Sequence, residues 1–119
     1  MSIVNVKVAY IRPKYQNLEE WMSDPNNVYI GRAGIVFING VRFPKSTNAS
    51  IWANPYKISS TCSRDQVLKQ YEEYLVSNQY LMSQLYTLEG KTLGCWCHPD
   101  PCHGDILLKY LYQNFTDNT

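Results

Sequence analysis

Thiols and imidazoles are concentrated in one short segment of this chain, Gly94-Cys-Trp-Cys-His-Pro-Asp-Pro-Cys-His-Gly-Asp105. The apolar run that leads into it, Lys91 to Cys97, predicts a buried strand, and the apolar periodicity of Asp105 to Phe115 predicts a helix after it. A strand followed by a loop and a helix is the unit from which α/β domains are built. Ligands bind at this junction in such sheets, so the segment predicts both a fold class and the position of a site.

The other segments are predicted to supply two more strands, a hairpin and further helices. Asn39-Gly40 favours a type I′ turn, which requires positive φ at both positions, and so predicts a β-hairpin over 35–43. Ser63 and Gln66 match a capping box at the start of a helix. The remaining predicted elements are a strand over Ile3–Ile11, a helix over Leu18–Ser23 capped by Asn17, a strand over Asn27–Arg32, an ordered loop over Pro44–Ser60 and a helix over Tyr80–Tyr86.

This order of elements predicts an α/β fold, namely a single compact Rossmann-like three-layer domain with a central, mostly parallel sheet and an added β-hairpin. The length of 119 residues suits one domain over residues 1–119. The composition is 45% hydrophobic, but no apolar run approaches the roughly 20 residues of a membrane span, so we expect no membrane partner. The opening residues lack the pattern of a signal peptide, and we therefore expect an intracellular, cytoplasmic protein with reduced cysteines.

Charge is nearly balanced over the whole chain but not along it. Eleven basic and ten acidic residues give a formal charge of +1, which excludes a strongly basic, histone-like nucleic-acid binder. The stretch from Pro25 to Ile58, however, contains no acid, and its charged residues are Arg32, Arg42, Lys45 and Lys57. This stretch is therefore predicted to present a local anion site.

The cysteine and histidine segment suits nucleophilic chemistry. Cys97 or Cys102 would supply a thiolate and His103 would transfer a proton. Asp105 would orient the imidazole or contact the substrate. Cys102 is the better nucleophile by position, because free N–H groups at a helix N-terminus favour the thiolate. These four residues are the candidate catalytic set.

A zinc site is the alternative interpretation of the same segment, with the ligands Cys95, Cys97, Cys102 and His103. The residue types suit zinc, but the C-x-C-x4-C-H spacing differs from the paired C-x2-C knuckles of structural sites. Cys95 also fits an ordinary buried core residue, and a Cys97 to Cys102 disulfide would close the loop. Beyond zinc, the residues indicate no cofactor.

A second group of residues is predicted to bind the ligand, and consists of Gly31, Arg32, Trp52, Asn54 and Lys57. Arginine and lysine bind phosphate, tryptophan stacks on a base, and asparagine reads a base edge or a sugar. The glycine permits a sharp turn or the close approach of a ligand. A chain of this length has room for one site, so this group should share a sheet edge with the cysteine segment.

Several motifs of this chain, in order, resemble an uncharacterised family found in phages, large DNA viruses and cellular genomes, domain of unknown function family 4326. The motifs are Val28-Tyr-Ile-Gly-Arg32, Trp52-Ala-Asn-Pro-Tyr-Lys57, the helix over 64–75, Gly90-Lys-Thr-Leu-Gly-Cys-Trp-Cys97 and Pro101-Cys-His-Gly-Asp105. The resemblance covers about residues 27–112. It implies a Rossmann-like domain without an established reaction, located in the host cytoplasm if the protein is viral.

The favoured functional hypothesis is a small domain that binds a nucleotide or nucleic-acid-derived ligand and acts on it, as a thiol-dependent nucleotide- or nucleoside-directed enzyme. Its partner would be a nucleotide or another phosphorylated small molecule, with nucleic acid as the alternative. The second hypothesis is a non-catalytic, zinc-stiffened module that binds protein or nucleic acid. A third hypothesis is an interaction protein that uses the exposed hairpin edge as a docking strand. The sequence does not indicate an oligomeric state.

Overall fold

The computed structural model describes residues 2–117, apart from the side chains of 48 and 114–117. The strands are β1 (Ser2–Asn5), β2 (Asn27–Tyr29), β3 (Val36–Ile38), β4 (Val41–Phe43) and β5 (Thr92–Cys95). The α-helices are α1 (Val8–Ile11), α2 (Leu18–Ser23), α3 (Arg64–Ser77), α4 (Gln79–Gln84) and α5 (His103–Asp117), with short 3₁₀ turns at Ser46–Asn48 and Leu85–Leu88. The chain is thus an α/β domain, as its sequence predicts.

A parallel three-stranded sheet lies at the centre, in the order β1-β5-β2. The last paired residues of β1 and β5 are Asn5 and Cys95, and Tyr29 of β2 pairs with Gly94. Parallel pairing brings the carboxyl ends of all three strands to one edge. The segment after Cys95 therefore leaves the sheet between the segments that follow β1 and β2.

Helices pack against both faces of this sheet, because successive strand residues point to opposite sides. Ile3, Leu93 and Cys95 enter one buried cluster, which also contains residues of α3, α4 and α5. The other face carries a smaller cluster, whose buried members are Val6, Ile11, Leu18, Trp21 and Tyr29. Among residues 2–117, no helix is both long and apolar enough to cross a membrane.

Local sequence signals are confirmed where they depend on the backbone nearby. Asn39 and Gly40 have φ values of 53° and 78°, as a type I′ turn requires, and β3 and β4 form the predicted hairpin. Ser63 and Gln66 form a complete capping box on α3. Asn17 caps α2 by accepting from the Glu20 backbone at 2.9 Å.

The predicted strand over Ile3–Ile11 is wrong in its second half. The last bond from β1 to the sheet runs from the Val6 amide to the Cys95 carbonyl, 3.0 Å away. Asn5 Oδ1 then accepts from the Lys7 amide at 3.0 Å, which turns the chain into α1. The bounds of four further elements also differ from those predicted, since β2 ends at Tyr29, β5 ends at Cys95, α4 ends at Gln84 and α5 begins at His103.

Candidate functional site

A cavity of about 440 Å³ opens at the carboxyl ends of β2 and β5, beside the first turns of α3 and α5. Four residues of the predicted ligand group line it, Gly31, Arg32, Asn54 and Lys57, together with Cys95, Cys97, Cys102 and His103. The structure therefore brings the acid-free stretch and the cysteine segment to one sheet edge. The volume of the cavity lies in the range of small-molecule binding sites.

Arg32 shapes one wall of the cavity. Its Nε donates to the Asn54 carbonyl at 3.1 Å and its Nη2 donates to the Tyr56 carbonyl at 2.8 Å. The buried Asn54 side chain accepts from the Tyr56 amide at 2.9 Å, which fixes the same loop. Because these two partners are uncharged carbonyl groups, they do not neutralise the positive charge of the Arg32 guanidinium.

Arg64 also lines the cavity, although the sequence did not predict it as a ligand-binding residue. Its Nη1 donates to the Pro101 carbonyl at 2.8 Å, which connects α3 to the cysteine segment. Among the described residues that line the cavity, the basic side chains of arginine or lysine are Arg32, Lys57 and Arg64, and none of the lining residues is an aspartate or a glutamate. In the sequence Arg64 is simply the residue after a helix cap, so no local signal separates it from a surface arginine.

Trp52 does not offer the predicted stacking surface. It is 4% exposed in the core, where its carbonyl accepts from the Tyr71 hydroxyl at 2.9 Å. Trp96, not Trp52, is the tryptophan that lines the cavity. It is half-buried, and its Nε1 donates to the Tyr29 hydroxyl at 2.7 Å. The residues with aromatic rings that line the cavity are therefore Tyr56 of the loop, Trp96 after β5 and His103 of α5.

Packing within the protein is by itself enough to require a glycine at position 31. A Cβ placed on Gly31 would lie 2.6 Å from Cζ of Tyr29. The Tyr29 hydroxyl donates to the Arg32 carbonyl at 2.7 Å, so its ring folds back over the glycine. The turn thereby places Arg32 at the cavity.

Cys95 and Cys102 form a buried thiol pair, with their Sγ atoms 3.4 Å apart. The contact with Cys102 and backbone donors at His98 and Cys97 outweigh burial and lower the pKa of the Cys95 thiol to about 6. The contact with Cys95, together with burial, raises the pKa of Cys102. Within the pair these contacts favour Cys95 as the thiolate, whereas the helix position alone favoured Cys102.

The other predicted catalytic residues are near the pair but do not form a triad. His103 Nε2 lies 2.6 Å from the Ile30 carbonyl, which makes Nε2 the protonated nitrogen and leaves Nδ1 as the acceptor. Burial lowers the pKa of His103, so its ring is neutral at pH 7. Asp105 Oδ2 accepts from the Cys102 amide at 3.0 Å and so caps α5. Cys97 is half-buried at the cavity wall.

Asn5 holds the cysteine loop in place and was not predicted as a functional residue. Its Nδ2 donates to the carbonyls of Trp96 and His98, at 3.2 and 2.9 Å. Those bonds draw the chain after Cys95 out of the sheet and into the loop whose amides face the Cys95 sulfur. Asn5 is 8% exposed, so its polar groups depend on these partners.

Asn5→Ala is expected to lower the free energy of unfolding by about 2–3 kcal/mol, because the Trp96 and His98 carbonyls lose their donor and the Lys7 amide loses its acceptor. The relaxed loop should also raise the rate at which Cys97 reacts with iodoacetamide. Urea unfolding and peptide-level alkylation measure the two effects. Asn17→Ala is the matched control, since it removes a cap worth about 1 kcal/mol and should leave Cys97 unchanged. Equal Cys97 rates in the two variants would contradict the role of Asn5.

The zinc ligand set does not converge in this geometry. Cys95 and Cys102 are in contact, but the His103 nitrogen Nε2 is engaged by the Ile30 carbonyl. Within the described part of the chain, no group of three or more ligating side chains is arranged to hold a metal ion. A tetrahedral zinc site needs four ligands, and the pair supplies two.

The fold and the site together define a small α/β domain with a cationic cavity and a thiol pair at the end of its central strand. The chain belongs to the family described as Domain of unknown function (DUF4326), whose model matches residues 14–113. The match confirms the predicted family and begins before the predicted region 27–112.

A relative of this chain in Enterobacteria phage T4 is the uncharacterized 12.4 kDa protein in the nrdA-td intergenic region. The two sequences are 30% identical over 73 residues, which cover 58% of this chain and 67% of the relative. No solved structure matches the chain significantly.

Proposed function

We propose that this protein binds a nucleotide, or another phosphate ester that carries a planar ring, in the cavity at the carboxyl ends of β2 and β5. We further propose that it acts on that ligand through the Cys95 thiolate. The observation that carries the proposal is the meeting of three cations and a thiol pair in one cavity. A thiol-dependent enzyme of nucleotides is therefore the function that the site supports best.

The cations support binding of a phosphate group. Arg32 and Arg64 each use part of the guanidinium to hold backbone carbonyls, so both are oriented before a ligand arrives. Lys57 is exposed beside them. An arginine that is already oriented loses little entropy when it binds a phosphate, which favours charge-assisted hydrogen bonds there.

The apolar walls support binding of the ring. Tyr56 and Trp96 both line the cavity, and the Trp96 indole is held by its bond to Tyr29. Ile35, Ile58 and Val67 complete the apolar lining, and the first two are 45% and 52% exposed. Aromatic and aliphatic faces of this kind stack on a base without selecting one, so the proposal includes all nucleotide bases.

The thiol pair supports chemistry in addition to binding. The contact with the Cys102 thiol, together with the backbone amides of His98 and Cys97, favours the charged form of Cys95 and lowers its pKa. His103 Nδ1 is the neutral acceptor that would take or return a proton of the ligand. Asp105 caps the helix and would act only by holding Cys102 in place.

We infer that the three parallel strands and the helices on both faces are a reduced form of a Rossmann-like three-layer domain. The cavity position supports this inference, since ligands of such domains bind at the carboxyl ends of the strands. We also place the protein in the cytoplasm, because four free cysteines suit a reducing compartment.

Arg64→Ala is expected to weaken nucleotide binding by about 10- to 100-fold, since a charge-assisted hydrogen bond to phosphate is worth roughly 1.5–3 kcal/mol. Isothermal titration with the four common ribonucleoside 5′-monophosphates and diphosphates measures the Kd values. Lys69→Ala is the matched control, because this cation lies on the same helix and outside the cavity. Similar losses in both variants would argue against a phosphate site at Arg64.

Cysteine alkylation provides a second measure of binding within the same sample. Cys97 and Cys62 are both half-buried, but only Cys97 lines the cavity. A bound nucleotide should slow the reaction of Cys97 with iodoacetamide and leave that of Cys62 unchanged. A panel in which no nucleotide binds, or in which Cys97 stays equally reactive, would reject the proposed function.

A further inference from the structure

We propose that Cys95 and Cys102 form a reversible disulfide when the protein meets a hydroperoxide, with Cys95 as the sulfur that is oxidised and Cys102 as the sulfur that resolves it. This reaction requires no nucleotide, so it goes beyond the function proposed above. It assigns the thiol pair as a modification site for small peroxides.

The geometry of the pair favours this disulfide over any other in the chain. The two Sγ atoms are 3.4 Å apart, and Cys102 donates its S–H toward Cys95. Cys102 lies immediately before α5. Asp105, in the first turn of that helix, holds Cys102 in place by accepting a hydrogen bond from its amide. The disulfide requires these two sulfurs to approach from 3.4 Å to a bond of about 2.05 Å.

The cavity determines which oxidants reach the pair. Cys95 and Cys102 are 1% and 3% exposed, yet both contribute to the cavity wall. Because the two thiols border the cavity but are almost completely buried, we expect a molecule as small as hydrogen peroxide to reach them more readily than a protein disulfide. Cys62, which is half-buried and lies outside the cavity, lacks a neighbouring thiol of this kind in the described structure.

The reaction balances with peroxide as the only oxidant. The Cys95 thiolate attacks one peroxide oxygen, the O–O bond breaks, and the released hydroxide takes the proton that the thiol had lost, giving water and a sulfenic acid. Cys102 then attacks the Cys95 sulfur. The S–S bond forms, the S–O bond breaks, and the leaving hydroxide takes the Cys102 proton, giving a second water. Two thiols are oxidised and one peroxide is reduced.

Treatment of the full-length protein with one equivalent of hydrogen peroxide, without nucleotide, tests the proposal. We expect the mass to fall by about 2 Da and tryptic mapping to show a Cys95–Cys102 crosslink, formed about tenfold faster than Cys62 is oxidised. Dithiothreitol should restore four free thiols. A crosslink that contains Cys97, or oxidation of Cys62 at the same rate, would overturn the proposal.

Cys102→Ser separates the two steps. Without the resolving thiol, Cys95 should accumulate as a sulfenic acid that dimedone traps, and the crosslink should disappear. Trapping at Cys97 instead of Cys95 would overturn the order of the steps. Thermal unfolding tests whether the variant is folded. The peptide mapping of the protein without substitutions tests the proposal independently of the variant. Loss of nucleotide binding with an intact crosslink would reject only the function proposed above, because the crosslink is measured without a ligand.

Discussion

Cys95→Ser is expected to abolish turnover of whichever nucleotide the titration identifies, with a loss of about a thousandfold or more, because serine supplies no thiolate at neutral pH. Binding should change by less than about threefold, since the cations that hold the phosphate are untouched. Liquid chromatography of the ligand measures turnover, and titration measures the Kd. The result would assign the nucleophile to the end of the strand rather than to the helix.

Three further cysteine variants test that assignment. Cys62→Ser is the control that should keep full turnover, because Cys62 lies outside the cavity with its sulfur 3.6 Å from Gln70. Cys102→Ser should keep partial turnover, since Cys95 retains its two amide donors. A variant set in which Cys97→Ser is inactive and Cys95→Ser is active would reject Cys95 as the nucleophile.

Gly94→Ala is expected to cause a large loss of stability for the addition of a single methyl group. The new Cβ would lie 2.6 Å from Val6 Cγ1 and 2.7 Å from Trp21 Cζ3, and closer still to Cη2 of the same ring. Val6 and Trp21 are 1% and 2% exposed, so neither can move aside freely. Overpacking of this kind costs about 3 kcal/mol or more, which urea unfolding measures.

Gly90→Ala is the matched control for the added methyl group. Gly90 has a φ of 75° and open space around the position of a Cβ, so its variant should lose only about 1–2 kcal/mol from the backbone. Trp21→Phe should recover part of the loss in the Gly94→Ala background, because it removes the nearest ring atoms. If both glycine variants lose the same free energy of unfolding, the close packing of β5 against Trp21 is not what makes Gly94 necessary.

The candidate site was only partly predictable from the sequence. The two segments that form it are visible as an acid-free stretch and as a cluster of thiols and imidazoles, and the structure brings them to one cavity. Which tryptophan faces the cavity was not visible, because Trp52 and Trp96 have the same chemistry and differ only in what packs around them. Arg64 was missed for the same reason, since its partner Pro101 is 37 residues away.

The sequence alone determined the features whose causes lie within a few residues. These include the turn at Asn39-Gly40, the capping box from Ser63 to Gln66 and the membership of the family. The tertiary structure alone decided that Cys95, rather than Cys97, meets Cys102. That pairing depends on Asn5, whose side chain ends the strand at Cys95 by binding carbonyls more than 90 residues away, at Trp96 and His98. Because a hydrogen bond between distant residues leaves no periodicity or spacing in the chain, only the folded sheet could show it.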